Sequence, residues 1–133
     1  MRGQWMCALL LAGATACCAA AGGDPNAGWL KKVPASDRDR TNPYAGQADA
    51  IAAGKNIFSN ACARCHGTDG QGRKGRPALA SGTLHAATDG EIQWLIKNGE
   101  PYRGMPSWGG MPQQQRWQLV AWLRSLNNTG EGK

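Results

Sequence analysis

Residues 62–66 read Cys62-Ala63-Arg64-Cys65-His66, followed at once by Gly67. Two thiols three positions apart can each add across one of the two vinyl groups of a single porphyrin. The imidazole that follows is then delivered beneath the iron as an axial ligand, and this is the spacing of covalent haem attachment. Three other chemistries use such a cysteine pair. A structural zinc site wants four protein ligands, whereas the only other histidine is His85 and no second cysteine pair is available. A thioredoxin-type dithiol belongs among strands that alternate with helices, and no segment here alternates like a strand. A Cys62–Cys65 disulfide leaves His66 without a purpose. The expectation is one haem c on Cys62 and Cys65, with His66 as a metal ligand.

An iron held by one imidazole has a further position to fill. Met105 is the first candidate, in Arg103-Gly104-Met105-Pro106-Ser107-Trp108, a Gly- and Pro-bearing loop that can hold a thioether rigidly. Met111, in Gly109-Gly110-Met111-Pro112, has a similar neighbourhood. His85 and an open position complete the alternatives, and a Met in such a loop can also be a mere gap-filler.

Outward from this centre the pattern is helical. Ile51, Ala52, Ile57 and Phe58 form an apolar stripe that predicts a first helix over Gln47 to Asn60. Gly54 lies inside it. Either it is a tolerated weakness costing about 1 kcal/mol relative to Ala, or its missing side chain admits a second helix at close range. Residues 67–87 read as loop. Thr88-Asp89-Gly90-Glu91 has the form of a capping box, so a second helix starts there; Ile92, Leu95 and Ile96 share one face, and Gly99 and Pro101 end it. A third helix is expected from Gln113 to about Asn127. Leu119, Trp122, Leu123 and Leu126 lie on its inner face, with Gln115, Gln118, Arg124 and Ser125 mostly opposite. Upstream, residues 22–46 carry Pro25, Pro34 and Pro43 and read as a linker or surface-hugging arm through which no helix should run. The expected fold class is all-α: three main helices with long loops, over residues 47–127, ahead of a flexible tail at 128–133.

The chain opens with Arg2 and a short apolar stretch from Met6, then a small-residue tract through Ala21, the form of an export signal over residues 1–21. The stretch is too short and too diluted to span a bilayer as a helix. Cleavage near Ala19-Ala20-Ala21 would discard Cys7, Cys17 and Cys18 together and keep only Cys62 and Cys65 in an oxidising compartment. Alternatively, Ala14-Thr15-Ala16-Cys17 resembles a lipoprotein box without its usual Leu, and acylated Cys17 would tether the protein to a membrane. The expected place is the periplasm. Of 133 residues 41% are hydrophobic, with two Tyr and one Phe, a thin inventory for a core made of protein alone, and small domains of this kind usually need a staple or cofactor. The net charge is +6, one less without Arg2. Export removes nucleic acid as the partner of that charge, leaving acidic proteins or an anionic membrane.

The segment from Gln47 to Asn127 resembles the class I, monohaem cytochrome c family. The resemblance is carried by Gly54 and Phe58 in the first helix, the Cys62 to His66 site with Gly67, Ile96-Lys97-Asn98-Gly99, Gly104-Met105-Pro106, and Val120-Ala121-Trp122-Leu123-Arg124-Ser125-Leu126. It implies that the first and last helices cross, so that Gly54 faces Trp122 in haem and helix packing, where an aromatic residue is usual. It implies Met105 rather than Met111 as the second ligand. It also implies that the Pro77 carbonyl, in Gly75-Arg76-Pro77, accepts from the proximal imidazole; the family form places Gly directly before Pro, and this chain has Arg76 there. The Asn42-Pro43-Tyr44-Ala45-Gly46 lead-in is similar to small cytochromes that serve quinoprotein alcohol dehydrogenases. The implied function is one-electron transfer between a periplasmic dehydrogenase and a cytochrome oxidase or other acceptor, without catalysis. Arg64, Arg73, Lys74, Arg76 and Arg103 lie near the expected exposed haem edge in sequence terms; either they steer an acidic partner or they belong to a generally basic solvated surface with no privileged patch. The rival functions are a ligand-binding haem catalyst or gas sensor, and a dedicated subunit of one oxidoreductase complex.

Overall fold

The computed structural model describes residues 27–126. The expected leader, residues 1–21 with both processing alternatives, and the tail at 128–133 lie outside them, as do residues 22–26 of the arm and Asn127. Among the described residues the regular elements are helical: α1 (Ala35–Arg38), α2 (Ala48–Ala61), α3 (Ala63–His66), α4 (Gly82–Ala86), α5 (Asp89–Asn98) and α6 (Gln113–Ser125), with 3-10 turns at Ala27–Lys32 and Pro101–Arg103. No strands form among them, only isolated bridges at Arg73 with Arg76 and Glu100 with Met105.

The α2–α6 crossing organises the rest. Helix α2 turns Ala50, Gly54 and Phe58 inward, and α6 meets it with Trp117, Val120, Ala121 and Trp122 among its buried residues. At the crossing point a Cβ on Gly54 would collide with the Gln118 carbonyl oxygen and stand 2.9 Å from Trp122 Cβ. Of the two readings of Gly54, the structure therefore shows the close helix approach. One turn further on, the Phe58 and Trp122 rings stack with centroids 4.2 Å apart, tilted by 37°, a pairing worth about 0.5–1.5 kcal/mol beyond its buried area.

Helix α5 begins with the capping box that its sequence announces. Thr88 Oγ1 accepts from the Glu91 backbone N–H at 3.1 Å, and Glu91 Oε2 accepts from the Thr88 N–H at 2.8 Å. Two of the helix's open donors are thereby satisfied. At the other end Gly99 takes a positive φ of 67°, and a side chain there would stand 2.5 Å from the Pro106 carbonyl.

The arm departs from the helix-free expectation. Trp29, on the 3-10 turn, and Val33, just after it, are buried in the same core cluster as Phe58, Ile92 and Leu119. Pro34 then opens the single turn of α1, because proline is tolerated where the helix needs no donor. The carbonyl end of α1 rests on Gly90, where a Cβ would collide with Asp37 O. Arg38 Nε donates to Glu91 Oε1 at 2.8 Å, and Thr88 Oγ1 donates to the Arg38 carbonyl at 2.8 Å. Asn42 Nδ2 donates to the Trp117 carbonyl at 3.0 Å, and the Arg40 guanidinium lies 5.3 Å above the Trp117 ring. The region expected as loop also contains the short helix α4. It is held by Arg124, which donates to the carbonyls of His85 at 3.0 Å and of Ala87, and pairs with Asp89 at 2.7 Å. Arg124, expected on the outer face of α6, is half-buried in this role.

Candidate cofactor site

Where α2 ends, the Cys62 N–H still donates to Phe58 O at 2.8 Å; the N–H groups of Cys65 and His66 then both donate to Cys62 O, at 3.1 and 3.0 Å. This extra turn, α3, presents Cys62, Cys65 and His66 together. Gly67 follows with φ 84°, a conformation that side-chain-bearing residues rarely adopt, and the chain doubles back: Gly72 N–H donates to His66 O and Leu79 N–H to Gly70 O, both at 2.8 Å.

The doubled-back loop, α3 and the loop after α5 enclose a cavity of about 740 Å³, within the roughly 300–1,000 Å³ typical of cofactor sites. Its walls are mainly apolar, built from Trp29, Phe58, Leu79, Ile92, Leu95, Ile96, Trp108, Leu119 and Leu123, and its polar-atom-bearing lining includes Cys62, Cys65, His66, Pro77 and Met105. Met111 and His85 do not line it. Neither does Trp122, which packs one layer behind, against the cavity-lining Phe58. Trp29 and Trp108, to which the sequence reading gave no role, do line it. Their signal was present: large aromatic residues stranded in Gly-, Lys- and Pro-rich segments have little reason to be there except burial.

The thiols of Cys62 and Cys65 are unpaired. Burial, and then the adjacent Cys65, pushes the Cys62 thiol up to about 11. A dithiol redox centre needs the opposite, a thiol with a lowered pKa. No cluster of three or more His, Cys, Asp or Glu side chains suited to a metal ion exists among the described residues, so the donor set is not that of structural zinc. His66 is held below its ordinary pKa by burial first and by the Arg76 cation second, while the Pro77 backbone carbonyl pulls the other way. Its Nδ1 is buried without a hydrogen bond of normal geometry; the carbonyl partner expected from Pro77 is close enough to be felt by the ring, but short of that geometry. A neutral imidazole is the form that binds iron. Two thiols, an imidazole and a thioether around one mainly apolar cavity fit haem c, which joins to the chain by adding each S–H across a vinyl double bond.

The fold and this donor set define a c-type cytochrome domain. Comparison with known proteins narrows the class. The chain belongs to the cytochrome c family: the family model described as cytochrome c oxidase, cbb3-type, subunit III, matches residues 49–123. It is 43% identical over 51 residues to the Cbb3-type cytochrome c oxidase subunit CcoP of Rubrivivax gelatinosus, a match covering 38% of this chain and 17% of the relative. It is 34% identical over 92 residues to the CcoP subunit of Azospirillum sp. (strain B510), covering 59% of this chain and 31% of the relative. The chain thus spans less than a third of the length of these relatives. Among solved structures it is similar to cytochrome cL from the marine methylotroph Methylophaga aminisulfidivorans. That similarity has a TM-score of 0.55 and 30% identity, and covers 62% of this chain and 57% of the other. Membership of this family gives the domain a covalently bound haem c and an electron-transfer role. Among the described residues no helix is long and apolar enough to cross a membrane.

Proposed function

We propose that the protein is a periplasmic one-electron carrier whose haem is anchored by Cys62 and Cys65 and ligated by His66 and Met105. The observation that carries this reading is that His66, at the end of α3, and Met105, from the loop after α5, line one cavity while Met111 and His85 do not. When bound, the haem supplies an iron that cycles between two oxidation states, and a His/Met pair raises its potential relative to stronger donor sets. The Pro77 carbonyl, which acts on the His66 ring, would orient the imidazole once the site is filled, and Trp122 holds α6 against α2 behind the Phe58 wall. The apolar lining limits water around the iron. Arg64, Arg76 and Arg103 line the cavity, with Arg73 and Lys74 next to Arg76 in sequence, and this basic cluster favours acidic redox proteins as partners. The lead-in at residues 42–46 supports a quinoprotein alcohol dehydrogenase as electron donor, with a cytochrome oxidase as acceptor, the leader having been removed or Cys17 acylated.

Carbon monoxide tests the ligand set. Reduced wild-type holoprotein is expected to resist it and Met105→Ala to bind it readily, with a lower midpoint potential, while Met111→Leu behaves as wild type. Ready binding by the wild type would overturn Met105 ligation. Intact-mass measurement of the exported chain tests haem attachment, cleavage and acylation together. A second reading, a domain dedicated to an oxidase complex, is favoured by the family model and the CcoP relatives. Co-purification with a large oxidase at high salt would establish it over a free carrier.

A further inference from the structure

Two loops meet at the rim of the cavity, and each is secured on its own side. The attachment loop folds back through Gly72 to His66 and through a turn in which Arg76 N–H donates to Arg73 O at 2.7 Å. The Met105 loop is tied to α5: Trp108 N–H donates to Ile96 O at 3.0 Å, Ser107 Oγ donates to Lys97 O at 2.6 Å, and Glu100 and Met105 exchange backbone bonds at 2.9 and 3.1 Å. Arg76 reaches across. Its Nη1 donates to the Arg103 carbonyl at 2.7 Å, and its guanidinium lies on Gly104, where a Cβ would meet Nη2 at 3.0 Å and Nη1 at 3.1 Å. Gly104 has a positive φ of 81°, so the residue directly before Met105 both turns the chain and leaves room for the cation.

We infer that Arg76 is a latch, a positioning residue that fastens the Met105 loop to the attachment loop and so keeps the thioether at the iron. The inference rests on the Met105 ligation proposed above. A hydrogen bond from a charged donor shifts an equilibrium by about ten- to a hundredfold. Arg76 is half-exposed, which places the effect near the lower end, about tenfold. Glutamine is too short and uncharged to span the gap. Lysine keeps the charge and one donor but not the planar fork, and restores part of the closure.

The test titrates ferric holoprotein with imidazole, a neutral ligand that must displace the thioether, and follows the sulfur-to-iron charge-transfer band and the thermal midpoint. Arg76→Gln is expected to bind imidazole about tenfold more tightly than wild type. Arg76→Lys should fall between, and Arg73→Gln, which removes the same charge from the same loop, should match wild type. The global thermal midpoint should move little, because the latch closes one loop and does not build the core. Equal imidazole affinity in wild type and Arg76→Gln, with the sulfur band present in both, overturns the latch. If Arg76→Gln fails to load haem, unchanged affinity in Arg76→Lys overturns it equally. A wild type that lacks the sulfur band and binds imidazole freely refutes Met105 ligation itself, a separate outcome.

Discussion

Gly54→Ala is the sharpest perturbation that the helix crossing offers. Away from a crossing, the substitution would stabilise a helix by about 1 kcal/mol through backbone entropy alone. Here the new methyl group meets three atoms of α6 closer than 3.0 Å, two of them backbone atoms of Gln118 and the third Trp122 Cβ at 2.9 Å. None is the far end of a flexible side chain, so relief requires the two helices to separate. Overpacking of a tight interface costs about 1–3 kcal/mol, and the Phe58–Trp122 stack, worth about 1 kcal/mol, loosens with it. Subtracting the propensity gain leaves a net loss of about 2 kcal/mol. Guanidinium unfolding of the holoprotein, followed by Trp fluorescence and haem absorbance together, measures it. Gly110→Ala, where a Cβ meets nothing within 4 Å, is the control and should lose almost nothing. A Gly54→Ala protein as stable as wild type would refute the close-crossing argument.

Other perturbations read out other parts of the molecule. Trp29→Ala should destabilise the holoprotein by about 3–5 kcal/mol and admit water to the haem; an unchanged unfolding midpoint would show that the arm is ornamental. Thr88→Ala removes the cap of α5 and the bond to the Arg38 carbonyl, for an expected loss of about 1–2 kcal/mol, measured by denaturant titration against a Thr88→Ser variant that should retain most of it. With an acidic redox partner, the second-order electron-transfer rate should fall steadily between about 0.01 and 1 M salt, as the screening length contracts from about 30 to 3 Å. A flat stopped-flow profile would exclude steering by the basic rim.

The three main helices were legible because each advertises itself locally. The apolar stripe gave α2 within one residue at each end, and Thr88 and Glu91 fixed the start of α5. The attachment motif was equally local, since Cys62, Cys65 and His66 lie within one short stretch of sequence, and the fold brings them to one cavity. The position of Met105 was legible only through its distance from Gly99 and through family resemblance. The arm was not legible. Its prolines and glycines forbid long helices, but they do not forbid docking, and the burial of Trp29 and Val33 depends on a core cluster assembled from α2, α5 and α6. Helix α4 was missed for the same kind of reason: five residues have no periodicity to read, and the Arg124 that satisfies its carbonyls comes from forty residues away. Arg76 stood out in sequence only as a departure from the usual Gly before Pro77, and its reach across to Arg103 is a property of the folded loops.

The family match begins at residue 49, yet one wall of the haem chamber, the Trp29 indole, is contributed from well upstream of it. The structural unit around the cavity is therefore larger than the portion that the family model recognises. Any excision or fusion that starts at α2 would remove one side of the room.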